Sequence, residues 1–208
     1  MSAIKLRYVN KSFDVHNEDV LIFLRNEAKM DGSPRCYAWK VIKNCGYDQV
    51  HPFLFPLENM ISVIDSNGNH SPAQLALPGD RFRVTRSRSG MQLVKCTPKP
   101  GDVYISVDNG LELGAIGVII SKSGKALDTI KNIAPGQSVF FDYKPVLKVV
   151  SVGEITEGKS FSSEVIGDVH TISLYGIESA DIVKRGGGWG RDATKITFSL
   201  ENEDRYDD

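Results

Sequence analysis

The sequence predicts an all-β protein made by tandem duplication of a β-sandwich unit, either jelly-roll-like or immunoglobulin-like, with the two halves packed together. First, short segments that alternate polar and apolar residues follow one another along most of the chain. Second, the 208 residues include 19 glycines and 9 prolines, and their turn signals recur about every 8 to 12 residues, which is typical of sandwiches and barrels. Third, two long portions of the chain resemble each other.

The alternating segments are predicted to be strands with one buried face. They are Lys5–Val9, Arg81–Thr85, Thr171–Leu174 and Lys195–Leu200. Two more continuously apolar segments, Ile116–Ile120 and Val146–Val152, are expected to be more fully buried strands. The one segment that favours a helical turn is Ala126–Asn132.

The internal resemblance is clearest between Asp19–Asn26 and Asp102–Asn109, which share Asp, Val, Ile and Asn in register. Further along, two aromatic residues of the first copy fall opposite two of the second, and all four are predicted to be buried: Phe53 and Phe55 opposite Phe141 and Tyr143. Residues common to both copies are expected to serve the fold, whereas residues present in one copy are candidates for function.

A Pro-Lys-Pro-Gly sequence at residues 98–101 marks the boundary between the copies. We therefore predict a first sandwich repeat over residues 1–97 and a second over residues 98–208, which ends in an extra strand and an acidic tail. The junction is too short to act as a flexible tether, so the halves are expected to touch.

Composition indicates a soluble, folded chain, with 41% hydrophobic and 25% charged residues. The formal net charge of −1 argues against a general nucleic-acid binder, which needs a basic excess. The sequence lacks the apolar run of a signal peptide and any apolar stretch near 18 residues, so we expect a cytoplasmic protein with no transmembrane segment. Cys36, Cys45 and Cys96 are odd in number and lack metal-type spacing, which predicts reduced thiols.

No recognisable catalytic motif is present. The four histidines are dispersed, and the chain has no nucleophile elbow, phosphate loop or dinucleotide fingerprint. The glycines of residues 186–190 precede a strand, where no helix dipole could hold a phosphate. We therefore expect no metal and no cofactor.

The strongest binding candidate is Trp189, which lies in a glycine-rich loop without a counterpart in the first copy. Arg191, in the same loop, is a candidate to bind the ligand together with it. An exposed aromatic on such a loop can stack on a sugar, a lipid headgroup or a protein. The alternative is that Trp189 folds back to plug one end of the sandwich. Trp39 is a second ligand-binding candidate, because its position opposite Gly117 indicates that the repeated fold does not require a large aromatic there. The alternative, which we favour for Trp39, is a place in the core.

A second candidate is the predicted hairpin tip that carries Arg86 and Arg88. It belongs to a stretch, residues 81–99, with six basic side chains and no acid. Such a patch can receive a phosphate, sulfate or carboxylate through forked contacts. The alternative, which we favour, is a solvated strand face, and the acidic C-terminal end offers it an internal partner.

We predict a non-enzymatic binding or interaction protein, lectin-like or toxin-like, that recognises a carbohydrate, a lipid headgroup at a membrane surface, or a protein. One alternative is an enzyme whose site is assembled only in three dimensions. Another is a structural protein that forms homo-oligomers through exposed strand edges. A deep polar pocket would favour the enzyme, and a shallow surface beside an exposed tryptophan would favour the binding protein. A large apolar interface would favour the self-assembling structural protein.

Overall fold

The computed structural model describes residues 3–28, 35–162 and 166–206. This part of the chain is all-β, as predicted: it consists of strands, turns and one short 3₁₀ helix, without an α-helix. None of its helices is long and apolar enough to cross a membrane.

The strands, in chain order, are β1 (Ala3–Asn10), β2 (Asp19–Phe23), β3 (Arg35–Tyr37), β4 (Lys40–Ile42), β5 (Val50–Pro56), β6 (Asn59–Ile64), β7 (Gln74–Ala76), β8 (Arg81–Ser87), β9 (Gly90–Cys96), β10 (Ile105–Asn109), β11 (Ile116–Lys122), β12 (Lys125–Ile133), β13 (Ser138–Phe141), β14 (Val146–Val152), β15 (Ser160–Ser162), β16 (His170–Ser173), β17 (Ile177–Gly187) and β18 (Thr194–Arg205). The 3₁₀ helix is Gly190–Asp192, between β17 and β18.

The six strands predicted from alternation or apolar runs are all present, in β1, β8, β11, β14, β16 and β18. The predicted helical turn Ala126–Asn132 is wrong, because these residues belong to β12. There the backbone pairs with β11 from Ile116 to Lys122, and Leu127 is buried. Long-range pairing of this kind overrides a local preference for helix.

Contacts divide the chain into two compact units that differ from the predicted halves. Unit 1 consists of Met1–Leu24, Pro34–Leu57 and Pro145–Asp208, and unit 2 of Arg25–Ser33 and Glu58–Lys144. The boundary predicted between residues 97 and 98 lies in the loop between β9 and β10, which is inside unit 2. The two segments of unit 2 alternate along the sequence with the three segments of unit 1.

Unit 1 contains two four-stranded sheets, with strand orders β18-β17-β1-β5 and β16-β14-β2-β4, and the two-stranded sheet β15-β3. The first strand of the chain is central in its sheet. It runs antiparallel to β5 and parallel to β17, where Val9 lies opposite Val183. An N-terminal strand thus pairs with one from the far end of the chain.

Unit 2 contains two four-stranded sheets, with strand orders β13-β10-β8-β9 and β12-β11-β6-β7. As in unit 1, one sheet has a parallel pair at its centre, here β8 and β10, and the other four-stranded sheet is antiparallel. Each of the four-stranded sheets takes two strands from residues 1–97 and two from residues 98–208. This mixing explains why the compact units differ from the predicted halves: the sequence pattern identifies strands but does not identify their partners.

The match between Asp19–Asn26 and Asp102–Asn109 is wrong as a structural correspondence. The first segment forms β2, which is antiparallel to both β4 and β14, whereas the second forms β10, which is parallel to β8. By sheet order and direction the counterpart of β10 is β1. The resemblance misled because short Val- and Ile-rich strands are alike wherever they lie in a sheet.

The match between Phe53 and Phe141 agrees with the sheets. Phe53 lies opposite Leu6 in the β1–β5 pair, and Phe141 lies opposite Ile105 in the β10–β13 pair. Phe141 is buried, while Phe53 is partly exposed. Phe55 is also buried, whereas Tyr143 is partly exposed. Two of the four aromatics predicted to be buried, Phe55 and Phe141, are therefore buried.

Candidate functional site

Three loops meet at one end of unit 1. They are residues 11–18 after β1, residues 43–49 between β4 and β5, and residues 188–193 between β17 and β18. Each of them carries one large exposed aromatic side chain: Phe13, Tyr47 and Trp189. We call this surface the aromatic end of unit 1.

Buried Asn10, at the end of β1, fixes the first two loops. Its side-chain amide donates to the Cys45 carbonyl at 2.7 Å, and its oxygen accepts from the Ser12 amide and hydroxyl at 3.0 and 2.6 Å. The backbone carbonyl of Asn10 accepts from the Asp48 amide at 2.6 Å. Because every polar group of this buried amide has a partner, the two loops are held in one arrangement.

A buried ion pair ties the first loop to β17. Lys184 Nζ lies 2.6 Å from Asp14 Oδ2, and the two side chains are only 1% and 7% exposed. Asp14 also accepts from the backbone amides of His16 and Glu18. Burial alone would raise the pKa of Asp14, but these hydrogen bonds and the Lys184 charge lower it below its usual value. The carboxylate therefore stays ionised at neutral pH.

Buried Tyr8 and half-buried Cys45 lie close enough to this pair to feel its charges. Burial raises the pKa of the Tyr8 hydroxyl far above its usual value, and the charge on Asp14 adds to the effect. Burial also raises the pKa of Cys45, with Lys184 acting in the opposite direction. Cys45 is a free thiol, as are Cys36 and Cys96. A raised pKa keeps Cys45 protonated, and a thiol is a weak nucleophile.

The glycine run brings three backbone segments together. A Cβ on Gly186 would lie 2.2 Å from the Lys195 carbonyl oxygen, and one on Gly187 would lie 2.5 Å from that of Phe13. Both glycines have positive φ angles, 96° and 84°. The Phe13 amide donates to the Gly186 carbonyl, and the Gly188 amide donates to the Phe13 carbonyl. Gly186 and Gly187 therefore allow these backbone segments to pack closely.

The aromatic side chains supported by this framework face solvent. The rings of Phe13 and Tyr47 stack with centroids 4.8 Å apart and an interplanar angle of 17°. Trp189 is 80% exposed and directly follows Gly188. The alternative in which Trp189 folds back as a plug does not agree with this exposure. An exposed aromatic surface on a fixed framework is suited to stacking on a ligand.

Charged side chains of both signs surround these rings. Lys11 forms an ion pair with Asp48 beside Tyr47, and Arg185 pairs with Glu201 at 2.8 Å. Arg191 and Asp192 lie in the exposed 3₁₀ helix after Trp189. The surface thus offers donors and acceptors without a large excess of either charge.

Unit 2 repeats the framework without the aromatics. Asn109 donates to the Ile133 carbonyl at 2.9 Å and accepts from the Leu111 amide at 3.1 Å, as Asn10 does with Cys45 and Ser12. The Gln137 side chain accepts from the Ala134 amide just as Gln49 accepts from Gly46. At the corresponding tips unit 2 has Pro135 in place of Tyr47 and Glu112 in place of Phe13. The aromatics are therefore not required by this loop framework.

The other predicted ligand residues do not join this surface. Trp39 is 2% exposed and packs edge-on against Phe55, with ring centroids 5.3 Å apart, so it cannot present a stacking face to a ligand. Arg86 and Arg88 are exposed at a hairpin tip, as predicted, but they belong to unit 2. Trp189 and Arg191 are the predicted residues that lie at the aromatic end.

The basic stretch around Arg86 has carboxylate partners of its own. Arg81 lies 2.7 Å from Asp108, and Lys95 lies 2.6 Å from Asp80. These pairs agree with the favoured interpretation of a solvated strand face. The acidic C-terminal end instead pairs within unit 1, where Glu201 binds Arg185.

A polar pocket of about 560 Å³ lies on the β1, β17 and β18 side of unit 1. Its lining includes Asp181, which accepts two bonds from Arg7 at 2.6 and 2.7 Å and one from Asn202 at 2.7 Å. These partners lower the pKa of Asp181 although burial opposes them. Because its groups are bonded to one another, this pocket has the character of a structural ion pair. Among the described residues no cluster of three or more His, Cys, Asp or Glu could hold a metal ion.

No known family model, curated protein sequence or solved structure matches this chain. Its own geometry is therefore the basis for assigning a function.

Proposed function

We propose that the protein is a non-enzymatic, lectin-like binding protein and that the aromatic end of unit 1 recognises an uncharged glycan. The observation that carries the proposal is the set of exposed rings of Phe13, Tyr47 and Trp189 on loops fixed by buried polar contacts. The apolar faces of sugars stack on such rings, and their hydroxyls bond to flanking polar groups. Because the loops are already ordered, ligand binding costs less conformational entropy.

The balance of charge around the rings favours a glycan over a membrane. A surface that binds anionic lipid uses a cluster of lysines and arginines with few acids. Here the cations and acids are equal in number once the buried Lys184–Asp14 pair is set aside. They are Lys11, Lys43, Arg185 and Arg191 against Glu18, Asp48, Asp192 and Glu201. Neighbouring donors and acceptors of this kind suit the hydroxyl groups of a neutral sugar.

A glycan array with the full chain tests this proposal, followed by titration of the best glycan by calorimetry. Trp189→Ala should weaken binding by about 1 to 3 kcal/mol, the usual effect of removing an aromatic anchor. The melting temperature should hardly change, because the ring is 80% exposed. Phe13→Ala should weaken binding to a similar degree.

Tyr175→Ala is the matched control. Tyr175 is a 53% exposed aromatic of the same unit that precedes the start of β17, whereas Trp189 follows its end. A strand of this length separates the two positions by about 30 Å. Equal loss of affinity in Trp189→Ala and Tyr175→Ala would contradict the placement of the site. Binding to phosphatidylcholine–phosphatidylserine vesicles without any glycan binding would favour a membrane ligand instead.

We also propose that the chain is a duplicated unit and that each compact unit is a two-sheet sandwich. The matching strand orders of the two units support the duplication, and so do the equivalent bonds of Asn10 and Asn109. In this proposal the four-stranded sheets match strand for strand, and each copy contributes strands to both units. The strands β1, β2, β4, β5, β6, β7, β8 and β9 correspond in turn to β10, β11, β12, β13, β14, β16, β17 and β18. Replacing Asn109 by Ala should then destabilise the protein about as much as replacing Asn10 by Ala, as measured by urea unfolding.

A further inference from the structure

The loop that follows β1 in unit 1 adds to the sheet as a short continuation of a strand. The Lys11 amide donates to the Lys184 carbonyl at 2.8 Å, and the Phe13 amide donates to the Gly186 carbonyl at 2.8 Å. The bond from the Gly188 amide to the Phe13 carbonyl, at 2.9 Å, closes the ladder. This part of the β17 edge is therefore occupied by the chain's own residues.

The corresponding edge in unit 2 is open. The Gly110 amide donates to the Val84 carbonyl at 3.1 Å, as Lys11 does to Lys184. Beyond this bond the described backbone shows no further pairing of residues 111–113 with β8. A pocket of about 600 Å³ separates the two segments, and it is lined by Thr85, Arg86, Gly110, Leu111, Glu112 and Leu113.

The backbone of Arg86 presents a hydrogen-bond acceptor to this pocket. The carbonyl of Asp80, just before β8, accepts from Ser106, and the carbonyl of Val84, in β8, accepts from Gly110, both on the β10 side of the strand. Because carbonyls alternate along a strand, the carbonyl of Arg86 points to the same side, where the pocket lies. It corresponds to the Gly186 carbonyl that accepts from Phe13 in unit 1.

We propose that this pocket binds an extended peptide segment, which pairs with the free edge of β8 as residues 11–13 pair with β17. Strand addition of this kind combines backbone bonds with side-chain pockets. The peptide should carry an aromatic or large apolar residue, to pack on Leu113, whose side chain is 83% exposed. An adjacent acidic residue would pair with the Arg86 guanidinium. Phe13 and Asp14 have this order in the segment that occupies the edge in unit 1.

The probe is therefore a synthetic, fluorescently labelled peptide with the sequence of residues 10–16, added to the full-length protein. Fluorescence anisotropy should give saturable binding with a Kd below about 1 mM, the affinity of a weak peptide complex. A second peptide carries an N-methyl group on the Phe nitrogen, which removes the donor for the Arg86 carbonyl. Its affinity should fall about tenfold or more, because strand addition depends on the backbone.

Arg86→Ala and Leu113→Ser should each weaken binding of the unmodified peptide about tenfold. Arg88→Ala is the control, because Arg88 lies at the same hairpin tip but does not line the pocket. It should change the affinity less than about twofold. All three side chains are exposed, so the variants should fold, and circular dichroism checks this. Binding that the N-methyl group leaves unchanged would overturn strand addition. Absence of saturable binding up to about 2 mM, or equal weakening by Arg86→Ala and Arg88→Ala, would overturn the site.

Discussion

Removal of one partner of the buried Lys184–Asp14 pair should destabilise the protein strongly. Lys184 is 1% exposed and its ammonium group lies 2.6 Å from Asp14, so Asp14→Ala leaves a buried charge without its carboxylate. Such a change typically costs about 3 to 5 kcal/mol, because the remaining ion is still out of water. The exposed pair of Lys11 and Asp48 is the matched control. Asp48→Asn removes the charge and suits the positive φ of 63° at that position, so it should cost less than about 1 kcal/mol.

The double variant separates the charge from the packing. Lys184→Met with Asp14→Ala removes both ions and keeps an apolar chain of similar length, so its stability should lie within about 2 kcal/mol of the wild type. Urea unfolding at pH 7, with a common m value for all variants, measures the free energies. If Asp14→Ala costs less than about 1 kcal/mol, or if the double variant is less stable than both single variants, the argument is wrong.

The same pair makes stability depend on pH in a defined direction. The pKa of Asp14 is lowered by folding, so its contribution is present above its unfolded pKa, about 3.9. It is lost as the pH falls below that value through the folded pKa. Between pH 5 and pH 2 the wild type should therefore lose more stability than the double variant does.

Further predictions concern other positions. Gly187→Ala should destabilise the protein by more than about 2 kcal/mol, because a Cβ there would lie 2.5 Å from the Phe13 carbonyl oxygen. Gly190→Ala is the control: the space around Gly190 is open, so the change should cost about 1 kcal/mol. Thermal unfolding measures both. Burial lowers the pKa of Lys122 to about 8, below its unfolded value, so the unfolded state binds more protons above pH 8. The wild type should gain up to about 2 kcal/mol relative to Lys122→Met between pH 7 and pH 9.5, and a flat difference in urea unfolding would contradict this. Replacement of all three cysteines by alanine should leave a folded protein that is less stable by about 1 to 2 kcal/mol, and most of this loss should come from buried Cys36. Detection of a disulfide in the purified protein by mass spectrometry would contradict the assignment of free thiols.

The strands could be predicted because a half-buried strand leaves a period of two in the sequence, as in Lys195–Leu200. Their partners could not be predicted, since β1 pairs in parallel with a strand near the other end of the chain and nothing local records that choice. The same limit explains the incorrect match of Asp19–Asn26. Pairing also overrode the helix-favouring composition of β12.

At the candidate site, the sequence identified Trp189 because a large aromatic among four glycines is unusual. It did not identify Phe13 or Tyr47, which lie in loops without a distinctive composition and become neighbours through long-range bonds such as those of Asn10. The sequence did contain a signal for buried Lys184. By the period of two it lies on the same strand face as Ile182, which predicts that its side chain points into the core.

The central position of β1 also has a consequence for protein synthesis. As the chain leaves the ribosome, β1 can pair with β5 early, but its other edge has no partner until β17 is made. At about 5 to 20 residues per second, that delay is on the order of ten seconds. During this interval the nascent chain exposes an unpaired, largely apolar strand edge, which can pair wrongly with other chains. We therefore expect translation speed and chaperone supply to affect the yield of this protein more than its final stability would suggest.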